Sequence, residues 1–407
     1  MTLPALSQLR IVAAYKIPFA VKSGGHGMNP NYSSTPGVHI AMSRFNEVKY
    51  DTKTNTAEVG PGLIWDDVYG ALDPLGVTVL GGRATGIGVG GLALGGGYSW
   101  KTNQFGLTVD NIRGYEVVLP NGKIATVTNE SYPDLFWGLK GIVTKFHLVA
   151  YAQTEVWGGG LTFSGDYLDE VNAATAVFDE TVTDPKAQII PTYNYVQGQF
   201  LIAMSLYYDA PTPPAGIFDA FLAIPAIGTD IKTRPIRDLI RTAPTNGTLG
   251  LRGIYHTVSI VKYTETVLAA IANETKFWGE YPFPGQTVIS YSAEPFLPSI
   301  FSHAPEDSSA YPPDRTIGLS PLAISYAWND SSADAAMHAA ARASAAQLMR
   351  VLINDGQDVQ NAALYGNYAI FDTPLEKIYG RHLPRLRALK TKYDPHNVMG
   401  LAGGWKL

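Results

Sequence analysis

Nine glycines stand among the seventeen residues from Gly81 to Gly97 (Gly-Gly-Arg-Ala-Thr-Gly-Ile-Gly-Val-Gly-Gly-Leu-Ala-Leu-Gly-Gly-Gly). No other segment restricts the fold so strongly. Glycine costs a helix about 1 kcal/mol relative to alanine and suits places where backbone turns sharply or approaches another group closely. The segment contains a literal G-x-G-x-x-G at Gly86, Gly88 and Gly91, with Asp110 downstream. A nicotinamide-type fingerprint requires that turn to open an uninterrupted helix whose N-terminus faces a pyrophosphate. Gly95-Gly96-Gly97 follows too soon for such a helix. A glycine-rich loop can still cradle a pyrophosphate with its backbone amides alone. The competing reading is a packing corner where backbone meets backbone.

The remainder of the composition excludes several chemistries. The chain has 407 residues, 46% hydrophobic and 16% charged, which is incompatible with disorder. A net charge of −5 argues against nucleic-acid or anionic-membrane partners. Zero cysteine removes disulfides, thiolate catalysis and Cys-ligated metals. The first twenty residues make a poor signal peptide, because Pro4, Gln8, Arg10 and Lys16 interrupt them. No apolar run reaches membrane-helix length. Five N-x-S/T sites occur, at Asn31, Asn129, Asn246, Asn273 and Asn329.

Residues 1–150 read as short strands and helices joined by glycine-rich turns, with Pro120-Asn121-Gly122 as a hairpin. From about 154 to 360 the pattern changes. Alternating segments (159–163, 192–197, 200–208) suggest antiparallel strands, separated by helical stretches at 167–182, 218–222, 263–278 and 333–352. The last opens at Asp330-Ser-Ser-Ala-Asp334, an N-cap pattern. A basic helix is expected over 377–392.

Lys22-Ser-Gly-Gly-His-Gly-Met28 places His26 at a strand end between glycines. The flanking glycines let a ligand reach the imidazole and let the amides of Ser23 to Gly27 bind an anion. Ser-Gly-Gly-His-Gly, Val59-Gly-Pro-Gly-Leu-Ile-Trp65, the glycine segment and Gly106-Leu-Thr-Val-Asp-Asn-Ile112 resemble the FAD-binding half of berberine-bridge-enzyme-like flavoproteins of the vanillyl-alcohol-oxidase (PCMH-type) class. Asn367-Tyr368, Tyr379-Gly380, Leu386 to Lys392 and Tyr393-Asp-Pro395 are similar to its terminal segment, in the right order. Fungal members of secondary metabolism look most similar.

The resemblance implies an α+β, two-domain PCMH-type FAD-binding fold. Residues 1–153 and a returning segment 363–407 would form the FAD domain. Residues 154–362 would form a substrate domain, built on an antiparallel sheet flanked by helices and laid over the flavin. It assigns to FAD the turn Ser23, Gly24, Gly25, His26 and Gly27, with His26 bonded to the flavin 8α-methyl. The pyrophosphate loop maps onto Gly82, Arg83, Ala84, Thr85, Gly86, Ile87, Gly88, Gly90 and Gly91. Ala84 stands where many members carry a second, cysteinyl flavin bond, so a single histidyl bond is expected. Asp110 and Asn111 are expected near the adenosine side or just behind the residues that touch the cofactor. The backbone of Gly141, Ile142 and Val143 is expected near the flavin or adenine edge, and Asn367 beside the cofactor. Ile87 is β-branched like the valine of oxidases and points toward oxygen as acceptor. The family's glycine- and asparagine-rich insert before Gly-Ile-Val-Thr is missing, since Phe136-Trp-Gly-Leu-Lys140 runs straight into Gly141. The family also begins some tens of residues before the match to Thr2. An incomplete sequence or a short natural form is therefore expected.

Flavin oxidation of an alcohol or amine needs a base for the O–H or N–H proton. Tyr368 matches a tyrosine that serves as base in carbohydrate-oxidising relatives, and a phenol with pKa near 10 needs a helper. His303 lies roughly where some relatives place a carboxylate, with Glu294 as its rival. Tyr193, Tyr195, Gln197, Tyr207 and Trp328 read equally as pocket lining or as ordinary core. No nucleophile elbow, zincin or P-loop pattern occurs. The expected function is oxidation of a small organic alcohol, amine or carbohydrate, with hydride passing to FAD and oxygen taking the electrons. An oxidative cyclase or dehydrogenase, or a flavin-binding protein without turnover, are the alternatives. The compartment stays open, with the sequons and the resemblance on the side of secretion.

Overall fold

The computed structural model describes residues 2–139, 142–243 and 246–407. The chain divides into two units. The first comprises 1–153, 302–315 and 371–407, and the second 154–301 and 316–370. The return to the first unit therefore begins at Phe371 rather than 363, and the stretch 302–315 belongs there as well. Its anchor is Arg315, whose guanidinium holds the buried carboxylate of Asp110.

In the first unit, β1 (Phe19–Lys22) pairs in parallel with β2 (Val38–Ala41). A five-stranded antiparallel sheet joins β3 (Val48–Asp51), β4 (Thr56–Val59), β6 (Ile112–Val118), β7 (Ile124–Thr128) and β8 (Ile142–Val149) in the order β3-β4-β8-β6-β7. The short strands β5 (Val77–Thr78) and β9 (Tyr151–Ala152) form a separate pair. Pro120-Asn121-Gly122 turns β6 into β7, with Gly122 at φ +77°. Leu9, Val12, Phe19, Ile40, Met42, Val118, Ile142 and Val398 make one core, so the C-terminal segment packs with the N-terminal helix and strands. The antiparallel sheet confirms that the glycine fingerprint is not of the parallel-sheet type. The helix it opens runs only from Val89 to Leu94 and stops at Gly95.

The expected basic helix 377–392 is two helices, Leu375–Tyr379 and Leu383–Tyr393. Gly380, at φ +45°, breaks the backbone between them.

In the second unit, β10 (Val156–Ser164), β11 (Ala187–Val196), β12 (Gln199–Tyr208), β13 (Gly228–Arg234), β14 (Arg252–Ile260), β15 (Gln286–Ala293) and β16 (Ser320–Trp328) form an antiparallel sheet, ordered β13-β10-β12-β11-β15-β16-β14. Each strand alternates faces. One face meets the helices Leu168–Thr181, Glu265–Glu280 and Asp334–Asn354. Tyr193 donates to Asn172 at 2.6 Å, and the phenol of Tyr291 lies 2.6 Å from the hydroxyl of Ser344. Tyr193, Tyr207 and Trp328 are fully buried. Tyr195 lies against Gly279 of the second helix. These four are core rather than pocket lining. Gln197 sits in the β11–β12 turn at φ +52°. No helix among the described residues is long and apolar enough to cross a membrane.

Candidate functional site

In the first unit two glycine loops meet backbone to backbone. A Cβ on Gly24 would lie 2.7 Å from the Cα of Gly88, so neither position admits a side chain. Ser23 locks the pair, donating to the carbonyl of Pro61 at 2.5 Å and accepting from the amide of Gly90 at 3.0 Å. Asp66, buried in the first turn of the helix Trp65–Leu72, accepts from the Thr85 hydroxyl at 2.6 Å and the Gly86 amide at 2.9 Å. The Gly82 carbonyl accepts from Tyr69 and the Arg83 carbonyl from Trp100. The backbone around Ile87 is clamped by Trp65 N–H to Ile87 and Val89 N–H to Leu63. Ala84 and Ile87 are half-buried. The loop is thus held in shape from below by side chains that sequence reasoning did not single out, Asp66 foremost. An acidic residue in a helix's first turn reads as an ordinary dipole partner.

The opposite side of this construction is open. A Cβ on Gly27 or on Gly91 would meet no atom within 4 Å. His26, between Gly25 and Gly27, is half-buried. Burial lowers its pKa below the usual histidine value, against a smaller opposing effect of a backbone hydrogen bond. That direction favours the neutral imidazole. A braced glycine cradle, open space beside it and a neutral imidazole fit a phosphate-bearing flavin dinucleotide.

Other expected residues are engaged elsewhere. Asp110 takes Arg315 at 2.6 and 3.2 Å and the Leu107 amide at 2.9 Å. Asn111 donates to the carbonyls of Phe105 and Leu107 and accepts from Tyr151 at 2.5 Å. Both side chains hold the Phe105–Leu107 turn, and Asp110 also holds Arg315 of the 302–315 segment. The side chains of Ile142 and Val143 are buried, paired in register with Val118 and Val117. Gly141, with Lys140 at the missing insert, lies outside the described residues. His303 is exposed, packs on Gly106, and has Nε2 at 3.1 Å from the Asn103 carbonyl.

In the second unit Tyr368 donates to Oε1 of Glu294 at 2.9 Å. Glu294 is only 2% exposed. The Tyr368 ring stacks on Tyr255 at 5.7 Å and meets Tyr365 edge-on at 4.9 Å. Asn367 donates to the phenol of Tyr365 at 2.9 Å. Burial raises the pKa of Tyr255, opposed by a hydrogen bond with Ser325 and reinforced by the charge of Glu294. A phenol on a buried carboxylate can take a proton from a bound hydroxyl while passing its own to the carboxylate. The carboxylate hydrogen-bonded to Tyr368 is Glu294, whereas His303 is engaged with the Asn103 carbonyl.

Comparison with known proteins bears on the family and the fold. Residues 6–128 match the FAD binding domain family model, and residues 364–402 match the berberine and berberine-like model. An uncharacterized FAD-linked oxidoreductase of Arthroderma benhamiae is 35% identical over 341 residues, 80% of this chain and 67% of that protein. The FAD-dependent monooxygenase sdcF of Emericella nidulans is 31% identical over 412 residues, 96% of this chain and 85% of that one. Among solved structures, aclacinomycin oxidoreductase superposes with a TM-score of 0.78 at 20% identity, covering 97% of this chain and 90% of that one. At that identity the likeness speaks for the fold.

Proposed function

The chain belongs to the berberine-bridge-enzyme-like FAD-linked oxidoreductases, and we propose that it oxidises a small organic substrate with Tyr368 and Glu294 as its base. FAD is the cofactor. When bound it supplies the acceptor for the hydride that leaves the substrate carbon. The Tyr368 oxygen receives the substrate's O–H or N–H proton as its own proton passes along the 2.9 Å hydrogen bond to Glu294. That hydrogen bond is the observation that carries the reading. A phenol alone, with pKa near 10, is a poor base at neutral pH, and a buried carboxylate partner corrects this. His26, kept neutral by burial, holds the flavin covalently, and with no cysteine in the chain it does so alone. Ile87 leaves oxygen access to the reduced enzyme, so peroxide is the expected co-product.

Glu294→Gln and Tyr368→Phe are each expected to lower kcat about 10²- to 10³-fold while the protein keeps its flavin. Wild-type turnover in both variants overturns the assignment. Acid precipitation tests the histidyl bond: flavin should stay with the wild-type pellet and be freed from His26→Ala. The sdcF relative carries the name monooxygenase, which favours a second reading, in which an oxygen atom enters the product. Labelled oxygen in the product, in place of peroxide in solution, would favour it.

A further inference from the structure

We propose that Asn273 carries an N-linked oligosaccharide whose first sugars cover an aromatic patch on the exposed side of the helix Glu265–Glu280. That helix turns Val267, Leu268, Ile271, Ala272, Thr275 and Gly279 into the core. Its exposed side runs at every fourth residue through Glu265, Ala269, Asn273 and Phe277 to Tyr281, just past the helix end. Solvent-facing helix positions ordinarily carry polar groups, yet Phe277 is 58% and Tyr281 49% exposed. Both rings belong to a packed cluster. Trp278 meets Phe277 edge-on at 4.9 Å, lies 5.9 Å from Tyr281 and stacks on Phe283 at 6.0 Å, and Tyr281 is 4.5 Å from Phe283. The indole N–H of Trp278 donates to Glu274 at 2.9 Å and fixes the cluster on the helix. An ordered aromatic patch open to water marks a contact surface.

The sequon Asn273-Glu274-Thr275 supplies what covers it, because a linkable amide stands in the same stripe as the rings. A helical side chain covers the turn before its own Cα, which places the Phe277 ring beside Asn273. Successive members of the stripe are about 6 Å apart along the axis. A sugar on Asn273 therefore reaches Phe277, and the next one reaches Tyr281. The C–H face of a pyranose packs on the negative face of an aromatic ring and leaves its hydroxyls in water. By contrast, the side chain of Asn329 is folded onto Gly285, where an added Cβ would strike its Oδ1. The oligosaccharide comes from a lipid-linked pyrophosphate donor. The C1–O bond to the pyrophosphate breaks, a C1–N bond to Asn273 Nδ2 forms, and the amide proton leaves with the lipid pyrophosphate. Nothing is oxidised or reduced. In the folded protein Thr275 is fully buried and donates to the Ile271 carbonyl at 2.8 Å. Its hydroxyl is then closed to a transfer enzyme, so the sugar is added before this helix forms.

The test secretes the full, flavin-loaded chain from a eukaryotic host behind an added leader that is cleaved, and reads the tryptic peptide 263–276, whose single sequon is that of Asn273. An amidase that releases N-linked sugars in heavy-oxygen water should turn Asn273 into labelled aspartate. Coverage is read with a dye that fluoresces on apolar surface at a wavelength clear of the flavin. Asn273→Gln should raise its fluorescence about 3-fold over the glycosylated enzyme, with flavin absorbance unchanged. Amidase-treated wild type serves the same comparison if that variant is not secreted. Adding Phe277→Ser to Asn273→Gln should return the signal to the glycosylated level. An unlabelled peptide 263–276, from a host that glycosylates a secreted reference protein, overturns the site. A labelled peptide whose loss of sugar leaves dye binding unchanged overturns the covering role, as does a raised signal that Phe277→Ser does not lower.

Discussion

The fully buried phenol of Tyr263 accepts the backbone N–H of Glu294 at 3.1 Å and donates to the carbonyl of Pro321 at 3.0 Å. It thereby ties the residue after β15 to β16, at the point from which the Glu294 carboxylate reaches Tyr368. Tyr263→Phe leaves two buried backbone groups without that partner, at about 1–3 kcal/mol of stability. If Tyr263 is a positioning residue, kcat should fall about 10-fold with KM nearly unchanged, and the pH profile of kcat should shift. A change in thermal stability alone, with kinetics intact, would make it merely structural.

The same turn is sensitive to pH through Asp179. Its carboxylate accepts the Tyr263 amide at 2.9 Å, and burial raises its pKa to about 6, against the opposing effects of that hydrogen bond and of Lys262 and with a small reinforcement from Glu180. A carboxyl whose folded pKa is raised favours the fold below its unfolded value of 3.8 and loses that contribution as pH rises through about 6. Asp179→Asn, which keeps an acceptor for the amide, should therefore gain on the wild type between pH 4 and 6. It should remain ahead above pH 7, by up to ~3 kcal/mol. Unfolding of both proteins by denaturant from pH 4 to 8 measures this difference. A constant gap across the range would show that Asp179 does not titrate as described.

Sequence resolved what is local. The Ser23–Gly27 turn and the interrupted helix at Gly95 follow from backbone rules that act within a few residues. Glu294 entered only as a rival to His303, and Asp66 not at all, because a carboxylate's partner is set by chain that lies far away: 74 residues for Glu294 and Tyr368, and 19–20 for Asp66 and its loop. Parity was the other obscured property. Alternation told that Thr192 and Tyr193 face opposite ways, but not which meets the helices. The aromatic and aliphatic run of Ile189, Tyr193, Tyr291 and Ile324 against the small polar Thr192, Asn194, Ser290 and Ser292 held that signal. It becomes readable only once the strands are paired. The partner of Asp110 was equally out of reach of local reading, since it is an arginine 205 residues away.

That Asp110–Arg315 pair is almost fully buried on both sides, at 2% and 4% side-chain exposure. Breaking one half strands the other charge, and Asp110→Asn should cost about 3–5 kcal/mol. Replacing both, as Asp110→Leu with Arg315→Met, should recover much of that loss. The flavin content of the double variant is the discriminating measurement. Retained flavin supports a role in fastening 302–315 to the first unit, whereas lost flavin in a stably folded double variant would return Asp110 to the cofactor.

The glycine cradle makes a contrast between two alanine substitutions. At Gly24 a methyl group would press on the backbone of Gly88, so Gly24→Ala should destabilise the protein itself, with or without flavin, by about 1–3 kcal/mol. At Gly27 the methyl meets nothing within 4 Å, and the backbone there is not in the left-handed region. Gly27→Ala should therefore leave the flavin-free protein as stable as the wild type. If the open side is where the dinucleotide lies, the same methyl occupies its space, and flavin incorporation should drop several-fold. Denaturant unfolding of flavin-free protein and the flavin-to-protein absorbance ratio separate the two effects. A Gly27→Ala protein that folds and fills with flavin normally would place the cofactor away from this turn, and the histidyl bond of His26 with it.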